Sequence, residues 1–368
     1  MINGNLAAKF MKFNGEVGVQ LATHLANQYS TPELVNLARL AHEVGIDRVW
    51  IDDNLRFRNV FVILSAIASK VPIGLGTGIV VPYFRNPIDT ADALAALSEL
   101  TEGRELSIGV ARGSIGIVPY QIETEPAISF MRETVVLFKS LLSGNEISIV
   151  NFPHLATYYR FKEKARFKLA FRPRSPIAFY HGCSGLQAAR LAGEVMDGIL
   201  ISGLYVALLR TGRVEQIIAA AAHGKKTSRG GSKFVNVCEI NLSMSKDRER
   251  ALQDPKGFLA HVIPGSYDAL GLIEPLGIDR KKVESMKEKS RQGISFEDLA
   301  GMISDEDVKK CYIAGSPREC RDQLLDVLDQ TVKLGFDRVS FKLGPDYKET
   351  IELLGKEIIP ELTGRGRK

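Results

Sequence analysis

The sequence predicts a TIM (β/α)8 barrel, the α/β fold in which parallel strands alternate with helices, here carrying inserted segments. Strand and helix patterns alternate along the chain with short links, which indicates parallel strands because parallel neighbours need a crossover connection. Roughly eight such units fit into the 368 residues. A doubly wound sheet is disfavoured because the glycines at 74–78 lack the spacing of the dinucleotide-binding fingerprint and lie inside a strand.

The predicted strands are short apolar runs bounded by turn residues. They cover residues 16–21, 48–52, 73–81, 106–110, 177–181, 198–202, 234–244 and 338–343. The predicted helices have apolar residues at helical spacing and end at glycines or polar residues. They cover residues 32–44, 57–69, 88–101, 126–142, 186–192, 206–223, 317–334 and 347–359. Thr31 and Ser316 are the expected N-caps of the first and the seventh of these helices.

Two segments do not fit the repeat, and we interpret them as insertions into one domain that spans residues 1–368. Segment 145–176 is too long for an ordinary loop between a helix and a strand. Within it, the period-two pattern of 159–174 predicts a hairpin with an aromatic face and a cationic face. The cationic face is either a solvated surface or a cover that attracts an anionic ligand. Segment 246–310 predicts several helices and no clear strand.

Composition excludes several classes of function. The net charge of +5 suits an anionic small ligand but is too weak to indicate nucleic acid binding. We expect a cytoplasmic protein without a membrane segment, because no apolar run reaches transmembrane length and no signal peptide opens the chain. The four cysteines are scattered, and the histidines lack metal-ligand spacing, so neither a disulfide framework nor a metal site is expected.

In a TIM barrel the active site lies at the carboxyl ends of the strands. The glycine-rich third strand, 73–81, indicates either a bulge at the barrel rim or a wall of backbone against a flat cofactor ring. Residues 182–185, Gly-Cys-Ser-Gly before a predicted helix, form either an anion-binding nest or an ordinary tight turn. Asp53, after the second strand, is either a surface or capping residue or a group that contacts a ligand.

Five stretches of the sequence resemble the bacterial luciferase-like superfamily. They are closer to its branch that depends on the deazaflavin coenzyme F420, which includes methylenetetrahydromethanopterin reductase. The stretches are GVQL at 18–21, GIDRVWIDD at 45–53, LGTGIVVPYFRNP at 75–87, LAGEVMDGILISG at 191–203, and GSPRECRDQL with GFDRVSF at 315–341. They span most of the predicted barrel, whereas the two insertions match only loosely.

The resemblance implies a homodimeric TIM-barrel oxidoreductase that transfers hydride between coenzyme F420 and a small organic substrate. It implies a cis peptide bond between Gly78 and Ile79, with the Ile79 side chain behind the cofactor ring. It also implies which further residues would contact the cofactor. The phosphate would lie at Gly182, Cys183, Ser184 and Gly185, and the ring would lie near Asp53, Val81, Arg112 and Gly113.

The chain departs from its relatives at three of the four positions that we take as candidate catalytic residues, which are Asp53, Asn54, Gln20 and Ser114. Many relatives have a histidine in place of Asn54 and a carboxylate in place of Ser114, and the methanopterin reductase has a glutamate in place of Gln20. Each change removes an ionisable group that could exchange a proton. A proton donor would then be Asp52, His24, Tyr83 or the substrate itself.

Two alternative functions remain open on the same barrel. One is a monooxygenase that depends on flavin mononucleotide (FMN), because oxygen chemistry needs a dry pocket and the two insertions could close one. The other is a non-catalytic barrel that binds the cofactor but has lost its acid–base groups. The sequence does not fix the substrate or the direction of hydride transfer.

Overall fold

The computed structural model of the protein describes residues 12–25, 27–113, 121–227, 233–344 and 346–364. Ser114, one of the candidate catalytic residues, lies outside this described part of the chain. Within the described residues, no helix combines the length and the apolar character that crossing a membrane requires.

Eight strands close into a barrel in which all neighbours are parallel, and the prediction of a TIM barrel is confirmed. The order around the barrel is β1-β2-β3-β4-β7-β8-β9-β11, and β11 pairs with β1. The strands are β1 (Glu16–Leu21), β2 (Arg48–Ile51), β3 (Gly74–Val80), β4 (Leu106–Val110), β5 (Ile147–Ser148), β6 (Arg166–Phe167), β7 (Ile177–Gly182), β8 (Gly198–Ile201), β9 (Val235–Met244), β10 (Ile313–Gly315) and β11 (Arg338–Leu343). Each of the eight predicted strands is present, with ends that differ from the prediction by one residue at most.

The helices surround the barrel and form most of the second insertion. They are α1 (Thr31–Glu43), α2 (Val60–Ala68), α3 (Pro87–Glu99), α4 (Ala127–Leu142), α5 (Pro153–Tyr158), α6 (Leu186–Val195), α7 (Tyr205–Arg210), α8 (Arg213–Thr227), α9 (Arg248–Gln253), α10 (Lys256–Val262), α11 (Arg280–Arg291), α12 (Phe296–Leu299), α13 (Asp305–Cys311), α14 (Pro317–Lys333), α15 (Tyr347–Leu353) and α16 (Ile359–Thr363). The predicted helix 206–223 is divided into α7 and α8 at Gly212, which adopts a positive φ of 68°.

The prediction of the first helix cap is wrong by one residue. Ser30 is the N-cap of α1, and its backbone N–H lies 2.7 Å from the Glu33 carboxylate, whereas Thr31 is already helical. The capping role of Ser316 is confirmed, because its hydroxyl accepts from the Glu319 backbone N–H at 3.4 Å. The predictions from sequence also did not include β10, a short strand that pairs with the end of β9.

The hairpin predicted for 159–174 does not form. Its start belongs to the end of α5, and only β6 is extended, where it pairs with β5. Tyr159 and the preceding residue, Tyr158, instead bind the corner after β3. The Tyr158 hydroxyl donates to the Tyr83 carbonyl at 3.1 Å, and the Tyr159 hydroxyl donates to the Arg85 carbonyl at 2.6 Å. The alternating pattern therefore reflects anchoring to another element and not a ladder of strands.

The amino-terminal end of the barrel is closed by an ionic network. Arg338 contacts Glu105 at 2.9 Å and Glu16 at 2.8 Å, and the Arg48 guanidinium contacts Glu16 at 3.1 Å. Above this network, the side chain of Trp50 is buried against Tyr180. Because these groups fill the interior, the open end of the barrel is the carboxyl end of its strands.

Helices α6 and α8 approach each other closely at two glycines. A Cβ atom on Gly224 would lie 2.0 Å from the Arg190 carbonyl oxygen, and one on Gly193 would lie 2.0 Å from the Ala221 carbonyl oxygen. Both obstacles are backbone atoms, which cannot move away as a flexible side chain can. The packing of these two helices therefore depends on the absence of a side chain at both positions.

We expect the substitution Gly224→Ala to lower the free energy of unfolding by at least about 2 kcal/mol, because the added methyl group forces the two helices apart. Chemical denaturation would measure the change. The matched control is Gly257→Ala in α10, where an added Cβ meets no atom within 4 Å. The control should change stability by less than about 1 kcal/mol. Equal losses in both variants would contradict the packing argument.

Candidate active site

A cavity of about 390 Å³ lies at the carboxyl ends of the barrel strands. It brings together most of the residues that the sequence singled out. These are Asp53, Asn54, Gly78, Ile79, Val81, Arg112, Gly113, Gly182, Cys183, Ser184 and Gly185. The remaining described candidate, Gln20, is buried in β1 and is not part of the cavity lining.

The second insertion contributes to the wall of the cavity, and the first does not. Phe258, Val262 and Ser266 line it from α10 and the π-helical turn that follows. Among the described residues, no lining residue comes from segment 145–176, and Lys162, Lys164 and Arg166 are exposed to solvent. The interpretation of that cationic face as a cover over an anionic ligand is therefore not supported.

The Ile79 side chain lies beside two glycines, one on the adjacent strand β4 and one on the next strand, β7. A Cβ atom on Gly109 of β4 would be 3.0 Å from Ile79 Cγ2, and one on Gly182 of β7 would be 2.9 Å from it. The peptide bond between Gly78 and Ile79 is cis, at the position that the resemblance implied. Ile79 thus forms an apolar part of the cavity wall that two glycines make possible.

Gly74 and Gly76 of β3 do not form a wall of backbone against a cofactor ring. A Cβ atom on Gly76 would lie 2.4 Å from the Trp50 ring, and one on Gly74 would lie 2.9 Å from the Asp47 carbonyl oxygen. These glycines make room for neighbours in the barrel itself. Of the three glycines in the strand, only Gly78 lines the cavity.

The loop between β7 and α6 lines the cavity with Cys183, Ser184 and Gly185. The Cys183 N–H is engaged within the barrel, because it donates to the Leu200 carbonyl at 3.0 Å. Ser184 and Gly185 precede the first turn of α6, and a Cβ atom on Gly185 would meet nothing within 4 Å. The loop therefore leaves open space at a helix N-terminus, where an anionic group is stabilised. Burial raises the pKa of the Cys183 thiol to about 12, so this thiol remains protonated and is a poor nucleophile.

His181 offers a hydrogen-bond acceptor inside the cavity. Its Nδ1 atom lies 2.9 Å from the Gly182 carbonyl oxygen, so Nδ1 carries the proton that this contact requires. Burial lowers the pKa of His181 to about 4, against the smaller opposite effect of the Gly182 carbonyl, so the ring is neutral at pH 7. Its Nε2 atom is buried and has no hydrogen-bond partner among the described residues. A ligand ring with an N–H group would satisfy that atom.

The carboxylate of Asp53 is bound to Arg85. Its two oxygens lie 2.6 and 2.7 Å from the two terminal nitrogens of the guanidinium, and the Val81 N–H donates to one of them at 3.2 Å. The Asp53 side chain is 1% exposed. A buried, bidentate ion pair of this kind fixes the corner after β3.

Asp52 points to the other side of the same loop. Its Oδ1 atom accepts from the backbone N–H and the hydroxyl of Thr23 at 2.6 and 3.0 Å. Its Oδ2 atom accepts from Asn54 and lies 2.6 Å from His24 Nδ1. Burial alone would raise the pKa of Asp52, but His24, Thr23 and the charge of Lys342 outweigh it and hold the pKa below its usual value. Asp52 is therefore ionised at pH 7.

Sequence analysis missed Glu239, a buried carboxyl group beneath the cavity. A Cβ atom on Gly78 would lie 2.9 Å from Gln20 Nε2 and 3.7 Å from Glu239 Oε2, so both side chains lie directly below the cavity wall. Burial raises the pKa of Glu239 to about 7, although the Lys342 charge and the Gly203 N–H lower it. The available signal was a carboxyl group in a strand, VNVCEINLSM, that has no other charged residue.

The raised pKa of Glu239 makes stability depend on pH. The folded state retains a proton on Glu239 that the unfolded chain has lost, so the stabilisation is complete below about pH 4.5 and decreases as the pH rises through about 7. The full shift corresponds to roughly 3 kcal/mol. Glu239→Gln mimics the protonated form and keeps an acceptor for the Gly203 N–H.

We therefore expect Glu239→Gln to match the wild type in free energy of unfolding at about pH 4 and to exceed it by roughly 3 kcal/mol at about pH 8. Denaturant titrations at the two pH values would measure this. Glu105→Gln is the matched control, because Arg338 outweighs burial and lowers the pKa of Glu105, which makes that carboxylate stabilising at neutral pH. The control should lose stability at about pH 8. A lower free energy of unfolding at about pH 8 in both variants would contradict the raised pKa of Glu239.

Comparison with known proteins agrees with the resemblance found in the sequence. The chain is 29% identical over 337 residues to 5,10-methylenetetrahydromethanopterin reductase of Archaeoglobus fulgidus, which covers 90% of this chain and 96% of the reductase. It is 27% identical over 353 residues to F420-dependent glucose-6-phosphate dehydrogenase of Nakamurella multipartita, with 92% and 94% covered.

The solved structure of the F420-dependent tetrahydromethanopterin reductase from Methanopyrus kandleri has the same fold. Its TM-score is 0.72 at 22% identity, and the match covers 95% of this chain and 99% of that one. A family model described as "Luciferase-like monooxygenase" matches residues 15–334. The chain therefore belongs to the luciferase-like monooxygenase family.

Proposed function

We propose that the protein is an oxidoreductase that transfers hydride between the deazaflavin coenzyme F420 and a small organic substrate. The observation that carries the proposal is the cavity, which joins an apolar wall at Ile79, an acceptor at His181 and an anion-binding loop at Ser184–Gly185. A flat ring with N–H groups and a phosphate-bearing tail matches these three features. The cofactor, when bound, would supply the hydride chemistry.

The relatives support the choice of this cofactor. The curated relatives named above are a 5,10-methylenetetrahydromethanopterin reductase and an F420-dependent glucose-6-phosphate dehydrogenase, and both are matched over nearly their whole length. Arg112, which is exposed at the cavity edge, adds a positive charge for an anionic tail. We propose that Asp53 supports the ring from behind, through its contacts with Arg85 and the Val81 N–H.

Titration of the purified protein with oxidised F420 and with FMN tests the proposal, read by the fluorescence of each ring. We expect saturable binding of F420 with at least about tenfold higher affinity than FMN. Reduced F420 bound to the protein should then transfer hydride to an added artificial acceptor. Preferred binding of FMN would support a flavin-dependent monooxygenase instead, and binding without any hydride transfer would support a non-catalytic barrel.

The loop at Ser184 is tested by Ser184→Asp, which adds a negative charge where the phosphate would bind. We expect the dissociation constant for F420 to rise by about tenfold or more, since like charges repel across a few ångströms. The fold should persist, because an acidic residue is well tolerated at a helix N-terminus. As a control, Lys162→Gln with Lys164→Gln and Arg166→Gln should leave the constant within about twofold, because these side chains are exposed to solvent, do not line the cavity and are screened by salt. If the triple variant weakened F420 binding and Ser184→Asp did not, the phosphate would be assigned to the first insertion instead.

We also propose that the protein forms a homodimer through α2. This helix has the sequence VFVILSAIA, in which Ser65 is the polar exception, and Val62 is 61% exposed. A surface helix that is apolar on nearly all sides is typically covered by a partner. A symmetric dimer is the commonest assembly that would cover it.

Sedimentation velocity tests the dimer. Val62→Glu should give a monomer at micromolar concentration, because a charge buried without a partner weakens an interface by several kcal/mol. Val150→Glu is the matched control, since Val150 is 57% exposed outside this helix, and its sedimentation should equal that of the wild type. A monomeric wild type would refute the assembly.

A further inference from the structure

We propose that His24 is the residue that exchanges a proton with the substrate in this site, and that Asp52 and Asn54 are the residues that position it. The substrate would be an alcohol or the corresponding carbonyl compound. The inference rests on the proposed function, because a proton must move on the substrate oxygen when hydride moves on its carbon. It assigns the acid–base step to the loop after β1.

The contacts of Asp52 determine which nitrogen of His24 carries the proton. Asp52 is buried and ionised, so its Oδ2 atom accepts hydrogen bonds. His24 Nδ1 lies 2.6 Å from that oxygen and 3.1 Å from Asn54 Nδ2, which donates to the same oxygen. The shorter contact, with an ionised carboxylate that can only accept, determines the tautomer. Nδ1 of a neutral His24 is therefore the protonated nitrogen. Its Nε2 atom then carries the lone pair and is the basic end of the ring.

The free end of His24 belongs to the cavity. His24 is a lining residue, its side chain is 8% exposed, and its Nε2 atom is buried. No hydrogen-bond partner for that atom exists among the described residues. A buried polar atom without a partner is costly, so the site favours a ligand that offers a hydroxyl group there. One end of the ring is thus held by Asp52, and the other is directed to the ligand.

Charged and titratable groups surround this pair on four further elements. Lys342 on β11 lowers the pKa of Asp52. The charge of Asp52 in turn adds to the effect of burial and raises the pKa of Glu239 on β9 and of Tyr347 on α15. His261 on α10 is close enough to His24 that a charge on His24 lowers its pKa further, in addition to the larger effect of burial. An imidazolium at His24 is therefore balanced chiefly by the Asp52 carboxylate.

In the direction of alcohol oxidation, the substrate O–H bond breaks and its proton moves to His24 Nε2. The C–H bond at the same carbon breaks with its electron pair, and that hydride moves to oxidised deazaflavin, the oxidant of the step. The carbon–oxygen double bond forms from the electrons left by the O–H bond. In the reverse direction, the His24 imidazolium returns the proton to the oxygen as reduced deazaflavin supplies the hydride. Asp52 stabilises the charged imidazolium in both directions.

Nuclear magnetic resonance of the cofactor-free protein tests the tautomer without any turnover. The protein is labelled with ¹⁵N-histidine, and the His24 signals are assigned by their absence in His24→Asn. We expect the neutral His24 ring to carry its proton on Nδ1 and to be unprotonated on Nε2. Asp52→Asn should abolish the preference for Nδ1–H. A His24 ring that carries its proton on Nε2 in the wild type would overturn the proposal.

His24→Asn also tests the reaction, because the asparagine amide can still donate to Asp52 while the nitrogen at the Nε2 position is removed. With a panel of primary and secondary alcohols and oxidised F420, we expect kcat to fall by about 100-fold or more. The dissociation constant for F420 should stay within about twofold, and the pH dependence of kcat should lose one ionisation. The matched control is His154→Asn, since His154 lies 3.2 Å from Glu125 and is not a cavity residue, and this variant should keep full activity.

The outcomes separate the two proposals. A variant His24→Asn with kcat within about threefold of the wild type would overturn the role of His24. Binding of F420 by the wild type without turnover of any alcohol would overturn the assigned substrate class. If F420 does not bind at all, the proposed function fails, and the tautomer measurement still decides whether His24 is poised as a base.

Discussion

The close approach of Ile79 to two neighbouring strands organises the carboxyl end of the barrel. Its side chain occupies space that a Cβ atom on Gly109 or Gly182 would fill. The backbone around it is held on both sides by Asp53, whose N–H donates to the Ile79 carbonyl at 3.1 Å and whose carboxylate accepts from the Val81 N–H at 3.2 Å. The bidentate contact with Arg85 then holds that carboxylate in place. Asp53 thus supports the cavity wall as a whole.

The strands of the fold could be predicted because each is a short apolar run between turn residues, and its pattern is local. The failure at 159–174 has a physical cause, since Tyr159, the first aromatic residue of the alternating pattern, donates to a carbonyl group of the distant corner after β3. A pattern within a segment carries no information on which element the segment contacts. The same limit explains why β10 was missed, because three residues are too few to establish a period.

The composition of the candidate site was largely predictable, because the carboxyl ends of parallel strands meet at one end of a barrel. Its interactions were not predictable. Asp53 and Arg85 are 32 positions apart in sequence, and His24 and Asp52 are 28 apart, so their pairing depends on how the loops fold over the barrel. The aspartate that the resemblance singled out is bound to an arginine, whereas its neighbour Asp52 contacts the histidine.

Two buried carboxyl groups below and beside one cavity have opposite pKa shifts, and the number of donors around each explains why. Asp52 accepts from the Thr23 N–H, the Thr23 hydroxyl, His24 and Asn54, and these contacts outweigh the cost of burying its charge. Glu239 accepts from the Gly203 N–H at 3.2 Å, and burial dominates even with the charge of Lys342 nearby.

Gln20 and Asn54 carry no ionisable group, but each lies next to a residue that does. Gln20 lies beside Gly78 together with Glu239, whose pKa burial raises to about 7. Asn54 donates to the aspartate that holds His24. In both cases an amide side chain lies next to an ionisable group. The protonation states around this cavity are accordingly set by burial and by the number of hydrogen-bond donors, and the residue types at positions 20 and 54 do not determine them alone.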